Sequence, residues 1–181
     1  MTVGAIIAAA SHRVARPIIK LGGITNIQRL TLTYHKAGVR NIVVITGFED
    51  PEIKAELTGK GVIFLQLADY EDPELMESFR IGLNYLRGRC DRVFLTPVNA
   101  PLYKHSTLEA MMATAGDIVI PSFGGRSGHP ILVSDALAPE VVAHQGLDGL
   151  AAFIRNTTAD RRWIDVNDEG VRFTVHDMTD A

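Results

Sequence analysis

Short apolar runs alternate with segments of helical period, and this alternation constrains the fold more than any other feature. Four runs, Val3–Ala10, Asn41–Thr46, Val62–Leu67 and Arg92–Thr96, are apolar almost without a break. A strand wetted on one face alternates in polarity, so unbroken runs read as strands covered on both faces. Helix signals lie between them. Thr25 with Gln28 fits a capping box and Gly38 fits a stop, which predicts a helix from Thr25 to about Ala37. Asp50-Pro51 and Asp72-Pro73 each place a cap before a first-turn proline, opening helices that run to Leu57 and to near Leu86. Ser106 with Glu109 predicts another capping box and a helix to about Thr114. Strand, helix, strand in this order predicts an α/β fold: a three-layer, Rossmann-like, mostly parallel sheet with helices on both faces.

The rest of the chain reads as shorter strands at Asp117–Pro121 and Pro130–Ser134 and helices at Ala136–His144 and Leu147–Asn156. Arg162–Val166 and Val171–Val175 read as closing strands. No internal repeat or interdomain linker is visible, so residues 1–181 are read as a single domain.

Charge and cysteine usage exclude several function classes. Eighteen Lys and Arg against 21 Asp and Glu leave a formal charge of −3. That balance makes no electrostatic case for a nucleic-acid surface or a polybasic membrane patch. One cysteine, Cys90, rules out an intrachain disulfide and a multi-thiolate zinc site. Val3–Ala10 is too short to cross a bilayer and lacks a basic leader, so a cytoplasmic protein is expected.

In a sheet of this kind ligands sit beyond the carboxyl ends of the strands. Three stretches stand out. Ala8-Ala9-Ala10-Ser11 leads into a loop carrying Arg13, Arg16 and Lys20, where free backbone N–H groups and basic side chains suit phosphate; three solvated cations are the ordinary alternative. Thr96-Pro97-Val98-Asn99 holds a polar side chain just past a buried strand, either as a ligand or as a turn stabiliser. Gly124-Gly-Arg-Ser-Gly128-His129-Pro130 lets backbone approach a ligand closely, or makes a glycine-rich hairpin. The acidic tail from Asp165 through Asp168 and Glu169 to Asp177 and Asp180 reads as a solvated surface. No two histidines stand at a metal-ligand spacing.

Taken in order, these stretches resemble the MobA-like nucleotidyltransferase family, the molybdenum-cofactor cytidylyl- and guanylyltransferases and their relatives. Arg16-Pro-Ile-Ile-Lys-Leu-Gly-Gly23 is similar to that family's K-P-L-L-P-x-G-G. Met76-Glu-Ser78-Phe-Arg-Ile-Gly82-Leu83 is similar to its M-x-x-S-l-x-x-G-L helix. Gly125-Arg-Ser-Gly128-His129-Pro130 is similar to its G-x-x-G-H-P. The resemblance implies a magnesium-dependent enzyme. It would bind CTP or GTP and pass the nucleotidyl group to a phosphorylated or cofactor-type acceptor, with release of pyrophosphate. A protein partner or a second copy of the chain is also expected.

Carried over position by position, the resemblance implies Arg13, Arg16 and Asn99 as catalytic positions. Ala8, Ala9, Ala10, Ser11, Arg13 and Arg16 would line the nucleotide. Ser78, Gly128 and His129 would face the acceptor, and Asn99 with Asp177 would stand at the metal. The departures cluster. Ala10 and Ala15 replace glycines of the phosphate loop, Arg16 replaces a lysine, and Asn99 replaces the metal aspartate. These changes raise an alternative expectation: a catalytically impaired relative that binds a ligand or a partner.

Overall fold

A computed structural model describes residues 1–10, 18–47, 50–67, 74–146 and 148–175. Its strands are β1 (Val3–Ala9), β2 (Lys20–Leu21), β3 (Ile24–Thr25), β4 (Asn41–Thr46), β5 (Ile63–Gln66), β6 (Arg92–Pro97), β7 (Ile118–Phe123), β8 (Arg126–Ser127), β9 (Ile131–Ser134) and β10 (Arg161–Asp165). Its α-helices are α1 (Asn26–Lys36), α2 (Asp50–Glu56), α3 (Leu75–Leu86), α4 (His105–Ala113), α5 (Ala138–Ala143) and α6 (Gly149–Asn156).

The main sheet runs β10-β7-β9-β6-β1-β4-β5, with β8 paired to β7. β1 lies parallel to both β4 and β6, β4 parallel to β5, and β7 parallel to β10. Only β9 and the short β8 run antiparallel to their neighbours in this sheet. β2 and β3 form a separate antiparallel ribbon. The chain leaves β1 toward β4 on one side and later returns to β6 on the other. The carboxyl ends of β1 and β6 therefore flank a topological switch point, the place where such sheets bind ligands.

β1 shows why the apolar runs are unbroken. Ile6 and Ala8 face the layer made by Phe79, Leu83 and Leu86 of α3 with Val141 and Phe153. Ala5, Ile7 and Ala9 face the layer made by Ile27, Leu30 and Tyr34 of α1 with Ile53, Leu108 and Met111. Successive side chains on a strand point to opposite faces, and here both faces are core. α3 lies so close to β1 that a Cβ at Gly82 would stand 2.6 Å from the Ile6 side chain. Inside the second layer the hydroxyls of Tyr34, Thr96 and Tyr103 bond one another in a ring. Thr96–Tyr103 is 3.1 Å and Tyr103 donates to Tyr34 at 3.0 Å. Burial pushes both tyrosines well above the usual phenol range. The three hydroxyls satisfy one another where no water reaches, and they fix the carboxyl end of β6.

The expected capping box of α1 is present: the Thr25 hydroxyl accepts from the Gln28 N–H and the Gln28 side chain accepts from the Thr25 N–H. α3 starts at Leu75 with Glu74 at its cap position, while Asp72-Pro73, expected to open it, lie outside the described residues. Two further expectations fail. Ser106 and Glu109 do not cap α4, which starts one residue earlier. Asp168, 64 residues away from Lys104, accepts instead from the Lys104 N–H at 2.7 Å and from the Thr107 hydroxyl at 2.6 Å. Val171–Val175 is no strand either. A 3-10 turn covers Glu169–Val171 and the segment then crosses loops rather than adding to the sheet. Its N–H groups find acceptors outside the sheet, with Val175 donating to the Asn99 carbonyl at 2.8 Å.

Candidate functional site

The carboxyl end of β1 is tightly held. Ala8, Ala9 and Ala10 are buried, and the Ala8 carbonyl accepts from the Val98 N–H at 3.1 Å. A Cβ at Gly47, just past β4, would stand 2.6 Å from the Ala10 carbonyl oxygen. Backbone thus packs on backbone where the nucleotide is expected, and the missing side chain at Gly47 permits it. Ser11, Arg13 and Arg16, expected on the same loop, lie outside the described residues, as does Asp177.

Asn99 follows β6 in a turn closed by the Ala100 N–H donating to the Pro97 carbonyl at 3.1 Å. The residue is buried at 8% exposure. The chain's last described segment crosses it. Asp168 anchors this segment to α4 and also accepts from the Gly170 N–H at 3.1 Å. Gly170 sits where a Cβ would fall 2.1 Å from the Leu102 carbonyl oxygen. The His129 N–H donates to the Val171 carbonyl at 2.7 Å, and a Cβ at Gly128 would stand 2.0 Å from that same oxygen. One segment, residues 168–175, therefore clamps the turn that carries Asn99 to the loop that carries His129. Asp168, read from sequence as part of a solvated acidic tail, is 3% exposed and is the anchor of this clamp.

Beside the clamp opens a cleft of about 790 Å³. α3 lines it with Leu75, Met76 and Phe79, and α6 with Leu150, Ala151 and Ile154. Ile120, Ile131 and Trp163 supply the sheet wall, and Gly128, His129 and Arg172 supply the clamp side. Gly128 and His129 thus reach the cleft. Ser78 does not line it; it is buried one residue before Phe79. The Nδ1 of His129 is buried without a hydrogen-bond partner. Burial pushes the His129 imidazole down to about 4, so the ring is neutral near neutral pH. It can offer a ligand one donor or acceptor and no charge.

Trp163 and Arg172 were not singled out from sequence, because both lie in stretches read as closing strands. The one usable signal was that Trp163 is the chain's single tryptophan, on a run with no helix after it to cover it.

The described residues do not make a divalent-cation site. No group of three or more His, Cys, Asp or Glu stands together among them, and Asn99 offers a neutral carbonyl where a hard cation prefers carboxylate. No described helix is long and apolar enough to cross a membrane.

Comparison with solved structures places the fold. A nucleotidyl transferase from Methanothermobacter thermautotroptrophicus superposes with a TM-score of 0.82 at 18% identity, covering 99% of this chain and 95% of that one. Rv0371c of Mycobacterium tuberculosis H37Rv, in complex with manganese, gives 0.79 at 16% identity over 92% and 89%. The 4-diphosphocytidyl-2C-methyl-D-erythritol synthase of Anaerococcus prevotii gives 0.77 at 13% identity over 99% and 92%. A search of curated proteins finds no match. At these identities the superpositions speak to architecture. The sequence itself speaks to family: the pattern of the MobA-like NTP transferase domain matches residues 8–162, so the chain belongs to that family.

Proposed function

We propose that this chain binds a nucleoside triphosphate, CTP or GTP, along the loop after β1 and transfers its nucleotidyl group to a small acceptor seated in the cleft. The observation that carries the reading is the placement of two sites around one turn. The end of β1 and the turn of Asn99 are joined by the Val98–Ala8 hydrogen bond, and the clamp ties that same turn to the Gly128–His129 wall of the cleft. A nucleotide and an acceptor held on either side of that turn would meet there. Transfer of this kind depends on positioning and on neutralising phosphate charge. In this reading Arg13 and Arg16 carry phosphate charge, and Ser11 with the Ala8–Ala10 backbone lines the nucleotide. Asn99 hydrogen-bonds at the junction, and His129 offers its free nitrogen to the acceptor. Ser78 acts from behind the acceptor wall by packing. Family membership and the cytidylyl-group chemistry named for the Anaerococcus neighbour support the nucleotide class.

A magnesium ion belongs to this proposal by kinship, and Asp177 is the acid nearest in sequence pattern to supply what Asn99 lacks. The described residues alone make no cation site. The neutral side chain at position 99 and the altered phosphate loop favour a second reading, in which the chain binds the nucleotide or a partner without turning it over.

One pair of experiments separates the readings. Thermal melting is followed with each of the four nucleoside triphosphates, with and without magnesium, because a ligand that binds the native state raises the melting temperature by mass action. Pyrophosphate release is then measured in a mixture of candidate acceptors. A shift with CTP or GTP plus release supports transfer. A shift without release supports the second reading, and no shift with any nucleotide rejects both nucleotide readings.

A further inference from the structure

The cleft also carries information about what fills it. Its walls are aliphatic and aromatic: Met76, Phe79, Ile120, Ile131, Ile154 and Trp163 all line it. A sugar or a nucleoside buried there would leave several hydroxyl or ring-edge groups without partners, at a cost that such walls cannot offset. The polar groups present are few: the His129 Nδ1 is unpartnered but belongs to a neutral ring, and several of the others are spent. The Trp163 N–H donates to the Ser127 hydroxyl at 3.2 Å, and the Arg161 guanidinium stands 5.8 Å from the ring centroid, so the ring has contact and no hydrogen bond to offer. Arg155 pairs with Asp148 at 3.2 Å on the α6 side. Glu74, at the cap position of α3, also lines the cleft and is exposed. Arg172 is different. It is half-buried on the clamp and lines the cleft, and its guanidinium has no hydrogen bond or ion pair among the described residues. A half-buried guanidinium without a carboxylate beside an apolar cavity is poised for an anion.

We propose that the cleft binds an amphipathic ligand with an aliphatic body and one anionic end group, the body against Phe79, Ile120 and Trp163 and the anion on Arg172. The proposal rests on the reading of this cleft as the acceptor's seat. It narrows that acceptor to an apolar-bodied carboxylate or phosphate and disfavours sugars.

Trp163 reports occupancy directly, because the chain has one tryptophan and it is 52% exposed on the cleft wall. The intact protein is titrated with octanoate, 1-octanol and inorganic phosphate in the absence of nucleotide, and Trp163 emission and melting temperature are recorded. Octanoate is expected to saturate with a blue shift of the emission. Octanol should bind about tenfold or more weakly, and phosphate alone should leave the emission unchanged. Arg172→Ala is expected to weaken octanoate about tenfold or more and to leave octanol unchanged, while Arg172→Lys restores part of the difference. Among the described residues the Arg172 side chain makes no hydrogen bond or ion pair, so its removal breaks none of the contacts that hold the clamp. Equal affinity for octanoate and octanol, an Arg172→Ala variant that binds octanoate normally, or no response to either ligand overturns the proposal. If octanoate fails while a nucleotide raises the melting temperature, the acceptor class falls and the transferase reading stands. If octanoate binds as stated and no nucleotide does, the reverse holds.

Discussion

Asp168→Ala should unfold this protein at a distinctly lower temperature, and the structure gives the size of the effect. The carboxylate is buried at 3% exposure and accepts from three donors: the Lys104 N–H at 2.7 Å, the Thr107 hydroxyl at 2.6 Å and the Gly170 N–H at 3.1 Å. Alanine removes the acceptor and leaves the donors in place. A buried donor without a partner costs about 1–3 kcal/mol. The Thr107 hydroxyl can rotate to another acceptor and the Gly170 N–H can reach water if the turn loosens, so the low end applies to both. The sum is about 3–5 kcal/mol, larger than the roughly 1 kcal/mol lost with an ordinary helix cap. For a chain of this size each kcal/mol moves the midpoint by about 2–4 °C, which gives a fall of roughly 6–20 °C. Asp168→Asn keeps one acceptor oxygen and should fall by about half as much. Circular dichroism melts and urea titrations of the three proteins measure both. A loss below about 1 kcal/mol in Asp168→Ala, or equal losses in the two variants, would show that the 168–175 segment is not anchored by this carboxylate.

Three further predictions follow from individual contacts. His129 has its folded value near 4 against 6.5 for a free imidazole, so below pH 6.5 the unfolded chain takes up the proton first. Stability then falls as the pH drops from about 6.5 to about 4, by up to about 3 kcal/mol. Urea titrations between pH 7 and pH 4 should show the wild type losing more than His129→Gln, and parallel losses would refute the assignment. Gly82→Ala places a methyl 2.6 Å from the fully buried Ile6 side chain. Overpacking costs about 1–3 kcal/mol and helix propensity returns up to about 1, so a net loss of about 1–2 kcal/mol is expected. Adding Ile6→Val should recover part of it, and a stabilised Gly82→Ala would disprove the close packing. Asn99→Asp restores a carboxylate at the junction and should strengthen CTP or GTP binding in magnesium by about tenfold, with little change in chelator. Calorimetric titration decides it, and equal affinities with and without magnesium would mean that position 99 does not face the cation.

Most of the architecture was legible in the residues alone. β1, β4 and β6 coincide with unbroken apolar runs, because a strand covered on both faces has no polar side to show; β5, at the sheet edge, follows the same kind of run but is only half-buried. The α1 capping box was legible because its two partners are three residues apart. The kinship of Arg16–Gly23, Met76–Leu83 and Gly125–Pro130 pointed to the family that the sequence pattern over residues 8–162 establishes. What could not be read were contacts between residues distant in the chain.

Tertiary structure alone decided that Asp168 caps α4 rather than facing water, since its partners lie more than sixty residues away. It decided that Val171–Val175 leaves the sheet, because the acceptor for the Val175 N–H is the Asn99 carbonyl and not a neighbouring strand. It brought Trp163 and Arg172 to the wall beside His129, although nothing in their local pattern marks them. Local periodicity and capping are written in neighbouring residues and can be read without folding the chain. The identity of a buried anchor, or of a cation beside a cleft, depends on which distant backbone groups folding brings against it.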